Sequence, residues 1–565
     1  MPAKSPPEQR GEARRRVPLP DRELIIVAAD SARLRAAGTR VQSLSGAPVE
    51  ELNKLLSDEN VQLLPLFGSE RRFEAARASL AAAGAMVPDL TGFYTVKVED
   101  AKMEALAAKL AKAPGIAGAY VKPAAEMASV PAAAEVTLTE APPVTPDFTS
   151  RQGYLRAAPG GVDADFAATQ AGGGGAGGNI IDVEGAWNFS HEDLLQNQGG
   201  VIGGTPTTDM DWKNHGTAVA GEFGADRNGI GVTGIAPDAQ MRAISIFGGM
   251  GTAPAITQAA NALSAGDIIL IELHRAGPRF DYEGRDDQRG YIAIEWWPDD
   301  LAAVQYAVGK GVIVVEAAGN GAENLDDALY DTPAAGFPAT WRNPFNTANP
   351  ASGAVLAGAG APPPGTHGRD HGPDRSRLDF SNFGARLDAQ GWGREVTTTG
   401  YGDLQGGGEN LQYTDTFSGT SSASPIVVGS IACIQGMLAA MGKAKMTPAK
   451  ARETLRTTGS VQQDAPGRPA TQRIGNRPDI KAAINWLTLS TVQSGVATQY
   501  WNELVAYPPG SAASLWLYVD NDWKKHDTVS SAYRELVQQA FLRTGSRVRV
   551  WYQGTDIVGL VVEGS

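Results

Sequence analysis

Cysteine is almost missing from this chain, since Cys433 is the only one among 565 residues. One thiol cannot close an internal disulfide, so the apolar core has to hold the fold together. Cys433 lies within an apolar helical pattern, which predicts a packed core thiol rather than a reactive one.

Long apolar runs and an excess of basic residues are missing as well. No stretch approaches the roughly 20 apolar residues that a helix needs to span a bilayer, so we expect no membrane contact. The formal net charge of −13 argues against a nucleic-acid partner, which would require a concentrated basic face. A chain of this length with 42% hydrophobic residues predicts about two to four domains.

The N-terminal residues lack the apolar segment of a secretory signal. Residues 1–22 are rich in proline, arginine and glutamate, and they predict a disordered tail on a cytoplasmic protein. The alternative is a wrongly assigned start of translation, so secretion is not excluded.

Composition divides the rest of the chain into four segments. Residues 23–124 alternate short apolar strands with helices, which predicts a small α+β domain. Residues 125–147 contain Ala, Pro, Thr and Glu without periodicity, as a linker does. Residues 148–488 predict an α/β domain with a mainly parallel sheet between two helical layers. Residues 489–565 alternate aromatic and aliphatic residues around a helix, which predicts a small α+β accessory domain.

A Gly-Thr-Ser turn that opens a buried helix contains a candidate nucleophile, Ser421. A serine at a helix N-terminus lies beside unpaired N–H groups and the positive end of the helix dipole, which stabilise a nearby oxyanion. The motif on its own is more typical of an ordinary cap and turn. The catalytic interpretation therefore needs a base, an orienting acid and an oxyanion donor elsewhere in the chain.

Candidates for these three roles stand in separate motifs. The chain has six histidines, and His215 lies in Asn-His-Gly-Thr, where glycine lets another element approach the ring. His215 alone is also typical of a structural histidine. Asp182 ends a short apolar strand, and a carboxylate there can orient an imidazole and stabilise its protonated form. Asn320 follows another apolar strand and offers a side-chain amide to an oxyanion.

These motifs, in the order Asp182, His215, Asn320 and Ser421, resemble the subtilisin-like serine proteases from about residue 161 to 487. The resemblance implies that Ser421 is the nucleophile, His215 the general base and then acid, Asp182 its orienting acid and Asn320 the oxyanion donor. It implies an endopeptidase that cleaves polypeptides through an acyl-enzyme and needs no cofactor for the chemistry.

The resemblance also implies where a substrate would bind. The peptide would lie extended between a segment containing Gly249 and Gly251 and a segment containing Leu273 and His274, with Gly319 beside it.

A structural calcium ion is a further implication of the resemblance. Its ligands would be the side chains of Asp193 and Asn228 and main-chain carbonyls near Ile230 and Val232. Oxygen ligands suit this ion. The alternative is that Asp193 and Asn228 only cap turns.

Several positions depart from the family's pattern. Val183-Glu184 follows Asp182 where the family has a small hydroxylic residue and glycine, so the surroundings of the acid must differ. Glu272 and Glu316 stand at the predicted pocket wall, and two carboxylates there favour Lys or Arg as the substrate's first side chain. The alternative is that Glu272 pairs with Arg275, or that both acids point into the packing layer of the sheet.

The domain at residues 23–124 occupies the position of the family's inhibitory propeptide. By this resemblance it folds first, acts as an intramolecular inhibitor and is then removed by a cut in the linker. The alternative is a permanent recognition domain. For the whole chain, the alternative to a protease is a pseudoprotease that holds a peptide without cutting it.

Overall fold

The computed structural model describes residues 17–82, 84–85, 87–129, 140–488, 493–502, 514–526, 531–543, 546–553 and 556–563. These residues form two compact units, which divide between Ile484 and Asn485. Most of the predicted N-terminal tail and the middle of the predicted linker lie outside the described residues. None of the described helices combines the length and the apolar character that crossing a membrane requires.

The first unit begins with a small domain in which helices cover one face of an antiparallel sheet. Its sheet has the strand order β4-β5-β1-β6, and β2 pairs with β3 in a separate hairpin. In chain order its elements are β1 (Glu23–Ala28), β2 (Leu34–Ala37), β3 (Arg40–Ser43), α1 (Glu50–Asp58), β4 (Leu64–Pro65), α2 (Glu70–Ala82), β5 (Phe93–Thr95), α3 (Met103–Leu110) and β6 (Ile116–Lys122).

Strand β1 of this domain is buried on both faces. Leu24 and Ile26 pack with residues of α1 and α3 inside the domain. Ile25 and Tyr120 face the other way and join the core of the larger domain that follows. The continuous apolar sequence of β1 is typical of a strand that is covered on both sides.

The larger domain is built on a seven-stranded sheet. Its strand order is β16-β15-β14-β11-β8-β10-β9, and the neighbouring strands run parallel. Its elements, with the segment that leads into it, are β7 (Glu126–Met127), α4 (Ala164–Ala168), β8 (Asn179–Glu184), β9 (Gln198–Gly203), α5 (Met210–Gly224), β10 (Gln240–Ser245), α6 (Thr252–Ala262), β11 (Ile268–Ile271), β12 (Leu273–Ala276), β13 (Tyr291–Ala293), α7 (Pro298–Gly309), β14 (Ile313–Ala317), β15 (Val355–Gly360), β16 (Leu387–Trp392), β17 (Val396–Thr399), β18 (Tyr413–Phe417), α8 (Ser424–Ala440), α9 (Pro448–Thr458) and α10 (Ile480–Thr488).

Helices cover both faces of this sheet, so the predicted three-layer α/β fold with a parallel sheet is confirmed. Ile181 and Val183 of β8 pack in one core with α6 and α7. Side chains alternate along a strand, so Asp182 and Glu184 point to the opposite face, towards α5 and α8. Two acids of one strand therefore lie beneath α5, which contains His215, and α8, which begins shortly after Ser421.

The larger domain has a second, three-stranded sheet with the order β13-β12-β7. Its strand β7 comes from the segment between the two domains and pairs antiparallel with β12, with Met127 opposite Leu273 and Glu126 opposite His274. Residues 125–129 begin the predicted linker, but they lie extended along the larger domain because their main chain finds hydrogen-bond partners there.

The second unit is an α+β domain, as the sequence predicts. Its elements are β19 (Gln493–Val496), β20 (Gln499–Asn502), β21 (Leu515–Val519), β22 (Asp522–His526), α11 (Ser531–Leu542), β23 (Arg547–Gln553) and β24 (Asp556–Glu563). They include one sheet of the order β19-β23-β24-β22-β21-β20. Leu515, Leu517, Val548 and Val550 alternate along their strands and pack with Val537 of α11 in its core. The aliphatic positions of the alternation thus form a packed core, whereas Trp501 and Trp551 are exposed.

Candidate active site

The serine and the histidine singled out by their motifs meet in the structure. Ser421 precedes α8, and His215 lies within α5, whose glycine and alanine neighbours allow close helix packing. The Oγ atom of Ser421 lies 2.9 Å from Nε2 of His215, and both residues are fully buried. The ring of His215 rests edge-on against Phe417, with ring centroids 5.5 Å apart.

The acid beside the histidine is Glu184 and not Asp182. The Nδ1 atom of His215 lies 2.6 Å from Oε1 of Glu184. Asp182 instead accepts a hydrogen bond from Nε1 of Trp187 at 2.8 Å. The expected contact between Asp182 and the imidazole is therefore wrong.

The strand geometry explains this difference. Asp182 and Glu184 share one face of β8, but Glu184 lies two residues closer to its carboxyl end and has the longer side chain. It therefore reaches the ring, while Asp182 remains deeper beside Trp187. The period of two along the strand was the available signal, and it offered both acids without ranking them.

Burial sets the protonation of this cluster. Removal from water lowers the pKa of His215 to about 3, although the nearby Asp182 raises it. The imidazole is therefore neutral near pH 7 and able to accept a proton. Burial also raises the pKa of the Glu184 carboxyl, and burial followed by the charge of Glu184 raises that of Asp182.

The main chain of the segment before the larger domain lies directly on the serine. The carbonyl oxygen of Ala128 accepts hydrogen bonds from the backbone N–H of Ser421 at 3.2 Å and from its hydroxyl at 2.7 Å. The N–H of Ala128 donates to the carbonyl of Glu272 at 3.2 Å, and Ser129 pairs with Gly419. A continuous polypeptide thus crosses the candidate nucleophile. Sequence reasoning missed Ala128, because these contacts use its main chain and leave no side-chain signal.

Asn320 lies next to the serine, but its amide nitrogen points elsewhere. Its Oδ1 accepts from the backbone N–H and the hydroxyl of Thr420, each at 2.9 Å. Its Nδ2 donates to Oε1 of Gln288 at 3.1 Å. Gln288 in turn donates to the carbonyl of Met127 at 3.2 Å, so this side chain joins Asn320 to the bound strand. No sequence motif had indicated Gln288.

The two acids expected at the pocket wall point into packing layers. Oε1 of Glu272 accepts from the hydroxyl of Ser424 at 2.7 Å. Oε1 of Glu316 accepts from the backbone N–H of Glu295 at 3.2 Å. Both acids are fully buried. This arrangement agrees with the alternative in which they do not face the substrate.

The remaining predicted substrate contacts lie in three places. Leu273 and His274 lie on β12 and pair with the bound strand β7, as the expected path of a peptide requires. Gly249 and Gly251 line a neighbouring cleft of about 1460 Å³. At Gly251, which has a φ of +72°, an added Cβ would lie 2.2 Å from Oε1 of Glu23. The N–H of Gly319 donates to the Thr420 hydroxyl at 3.2 Å.

The four positions expected to hold calcium do not form a ligand set here. One oxygen of Asp193 accepts from Nδ2 of Asn228 and the other from the N–H of Val232, each at 2.7 Å. The amide oxygen of Asn228 accepts from the N–H of Ile230 at 3.0 Å. Donor hydrogens thus surround the carboxylate where a cation would lie. This geometry fits the alternative, in which Asp193 and Asn228 stabilise turns.

Comparison with known proteins gives consistent matches for the larger domain. A family model described as the subtilase family matches residues 163–477. An alkaline protease of Alkalihalobacillus alcalophilus is 27% identical over 252 residues, which are 44% of this chain and 51% of that protein. Subtilisin NAT of Bacillus subtilis subsp. natto is 26% identical over 286 residues, which are 50% of this chain and 62% of that protein. The chain thus spans between about half and three fifths of the length of these two relatives.

Among solved structures, an epidermin leader peptide processing serine protease from Staphylococcus aureus has a TM-score of 0.47 and 18% identity. That match covers 82% of this chain and 98% of the other.

Proposed function

This chain belongs to the subtilase family, and we propose that it is a serine endopeptidase with Ser421 as nucleophile, His215 as base and Glu184 as orienting acid. The observation that supports this proposal most directly is the position of the imidazole. Its two nitrogens lie 2.9 Å from the serine hydroxyl and 2.6 Å from the glutamate carboxylate. This is the chain of contacts that activates a serine near neutral pH.

The roles follow from which atom carries a proton. Burial raises the pKa of Glu184, so the catalytic form is the one in which this carboxyl has lost its proton: it then accepts the Nδ1–H of His215, which leaves Nε2 free to take the hydroxyl proton of Ser421. When the imidazole becomes positively charged, the buried carboxylate beside it compensates the charge. A protonated Glu184 would instead donate to Nδ1 and put the ring proton on Nε2, where it cannot act as the base.

The first substrate in this proposal is the chain itself. Attack by Oγ of Ser421 on the carbonyl carbon of Ala128 forms the acyl bond, and the serine proton passes to His215. The Ala128–Ser129 bond then breaks as His215 returns the proton to the nitrogen of Ser129. Water finally hydrolyses the acyl bond and releases a carboxylate on Ala128. The backbone N–H of Ser421, 3.2 Å from the Ala128 oxygen, supports an oxyanion there.

The domain before this bond is accordingly proposed to be a propeptide and intramolecular inhibitor. Its last strand leads into β7, and β7 fills the place beside β12 that an extended substrate would take. While this strand is bound, other polypeptides have no access to Ser421. Other substrates would pair with β12 through their main chain in the same way, which imposes little side-chain selection.

Intact mass and N-terminal sequencing of the purified chain test the proposal. We expect a new N-terminus at Ser129 in the wild type and an uncut chain in Ser421→Ala. After processing, a fluorophosphonate probe should label the wild type and leave Ser421→Ala unlabelled. A correctly folded wild type that is neither cut nor labelled would instead support a pseudoprotease that binds peptides.

A further inference from the structure

A lysine of the N-terminal domain is buried completely in the larger domain. Lys122 is the last residue of β6, and none of its side chain is exposed. Its Nζ lies 2.5 Å from Oδ2 of Asp299, 3.1 Å from Oδ1 of Asp300 and 3.2 Å from Oγ1 of Thr252. Lysine is almost never fully buried unless it is paired, so these contacts form a fitted site for an ammonium group.

The acceptors of this ammonium belong to the larger domain. Asp299 and Asp300 lie in the first turn of α7, and Thr252 opens α6. The positive end of a helix dipole favours carboxylates in the first turn, whereas burial raises the pKa of the Asp300 carboxyl to about 6. We call Asp299, Asp300 and Thr252 the lysine socket.

The socket acids lose their ammonium when the N-terminal domain leaves, although the net charge of the region stays the same because Glu23 leaves with Lys122. In the uncut chain, Lys122 and Glu23 face each other across β1 and β6 and add no net charge. The larger domain contributes the two socket acids and the fully buried Arg275, whose Nε lies 3.5 Å from Asp300. Without the N-terminal domain, two carboxylates and one guanidinium leave one negative charge uncompensated. The ligand that complements this charge is a cation.

The path from the socket to the serine is one continuous extended segment. A carbonyl just after Lys122, that of Pro123, accepts a hydrogen bond from Nη1 of Arg275. The following residues reach β7, which pairs with β12, and then Ala128 lies on Ser421. A substrate on the same path would place a side chain in the socket.

We infer that the lysine socket is a substrate subsite of the processed enzyme. It would bind the ammonium group of a substrate lysine six residues before the residue whose carbonyl is attacked, since Lys122 lies six residues before Ala128. This inference rests on the proposed function, because it requires an active enzyme from which the N-terminal domain has been removed. It adds a charged contact distant from the reacting bond to a recognition that otherwise uses the main chain.

An internally quenched peptide with the sequence of residues 120–131 tests the socket in the wild-type processed enzyme. The comparison peptide replaces the lysine by norleucine, which keeps the aliphatic stem and removes the ammonium. We expect kcat/KM to be about tenfold lower for the norleucine peptide, as for loss of a partly desolvated charge pair. Equal values for the two peptides would overturn the inference.

Enzyme variants then locate the contact. Asp300→Asn should reduce the preference for the lysine peptide to about threefold or less, since it removes one socket charge. Asp281→Asn is the matched control, because Asp281 is exposed and lines the same cleft as Arg275. It should preserve the tenfold preference. A preference lost equally in both variants would indicate a general negative field and overturn the socket.

The two levels of the proposal fail in different ways. Cleavage of both peptides at one rate, with normal fluorophosphonate labelling, contradicts the socket and leaves the protease assignment intact. Cleavage of neither peptide, with no labelling of a processed chain, overturns the proposed function and the socket with it.

Discussion

Replacing Glu184 by glutamine should abolish self-cleavage, whereas replacing Asp182 by asparagine should nearly preserve it. The first change keeps the side-chain shape but removes the charge beside Nδ1 of His215, 2.6 Å away. The neutral amide can present its NH₂ group to the ring, which favours the tautomer that cannot act as a base. Loss of a triad carboxylate in this way lowers the rate by about 10⁴-fold, or about 5.4 kcal/mol of barrier.

Asp182 should behave differently because of its surroundings. Burial and the neighbouring Glu184 raise the pKa of its carboxyl, so a neutral amide resembles the protonated acid. The oxygen of asparagine can still accept the hydrogen bond from Trp187, which is 2.8 Å long with aspartate. We therefore expect Asp182→Asn to slow cleavage by less than about tenfold.

Timed samples from cell-free synthesis provide the assay, since the bond after Ala128 is cut within the same molecule. The fraction of uncut chain gives a first-order rate constant for each variant. Glu184→Asp is the control that keeps the charge but shortens the side chain, and it should give an intermediate rate. Thermal unfolding of each variant distinguishes lost catalysis from lost folding. Cleavage of Glu184→Gln within tenfold of wild type, or equal loss in Asp182→Asn, would refute the reasoning.

Three further predictions concern the core, the oxyanion and the first pocket. Burial raises the pKa of Glu222, so the unfolded state loses its proton at a lower pH and stability declines as pH rises above about 4.5. In a Ser421→Ala background, Glu222→Gln should therefore raise the free energy of unfolding by about 1–3 kcal/mol at pH 7 and have little effect at pH 4, which unfolding temperatures at the two pH values would show. Asn320→Ala should lower the self-cleavage rate about 10²–10³-fold if its amide turns from Gln288 to the oxyanion, and a normal rate would exclude that role. Ala128→Lys should slow self-cleavage, since Ala128 is fully buried and the carboxyl groups of Glu272 and Glu316 lie in the packing layers, bonded to Ser424 and Glu295; faster cleavage in the same assay would restore a preference for basic residues.

The sequence alone predicted those parts of the fold and of the site for which the local residue chemistry and the pattern along the chain agree. The alternation of strands and helices predicted the parallel sheet, because each parallel connection needs a crossover element. Ser421 and His215 stood in motifs rich in small residues, which let other elements approach closely: an added Cβ at Gly216 would lie 2.3 Å from the carbonyl oxygen of Ala186. Asn320 was also placed next to the serine, although its hydrogen-bond direction depends on Gln288, which comes from a distant loop.

The sequence was insufficient where the choice depends on distances in three dimensions. Asp182 and Glu184 lie on the same face of β8, and only the position of the His215 ring, near the carboxyl end of the strand, selects Glu184. Ala128 and its neighbours form a segment of small residues without a pattern, yet its main chain makes specific hydrogen bonds with the larger domain. In the second unit, the parallel pairing of β22 with β24 joins segments with a helix between them, so no hairpin signal predicts it.

Cutting the bond after Ala128 removes one covalent link and none of the contacts that hold the N-terminal domain. The apolar face of β1 and β6 still packs on the larger domain, and Lys122 still satisfies Asp299 and Asp300. Withdrawing the lysine would leave two carboxylates without their cation until water or another cation replaced it, and breaking a buried pair in this way is costly. Cleavage and release are therefore separate steps. The same socket that delays release would afterwards favour a lysine-containing substrate, because both depend on one cation replacing another at Asp299 and Asp300.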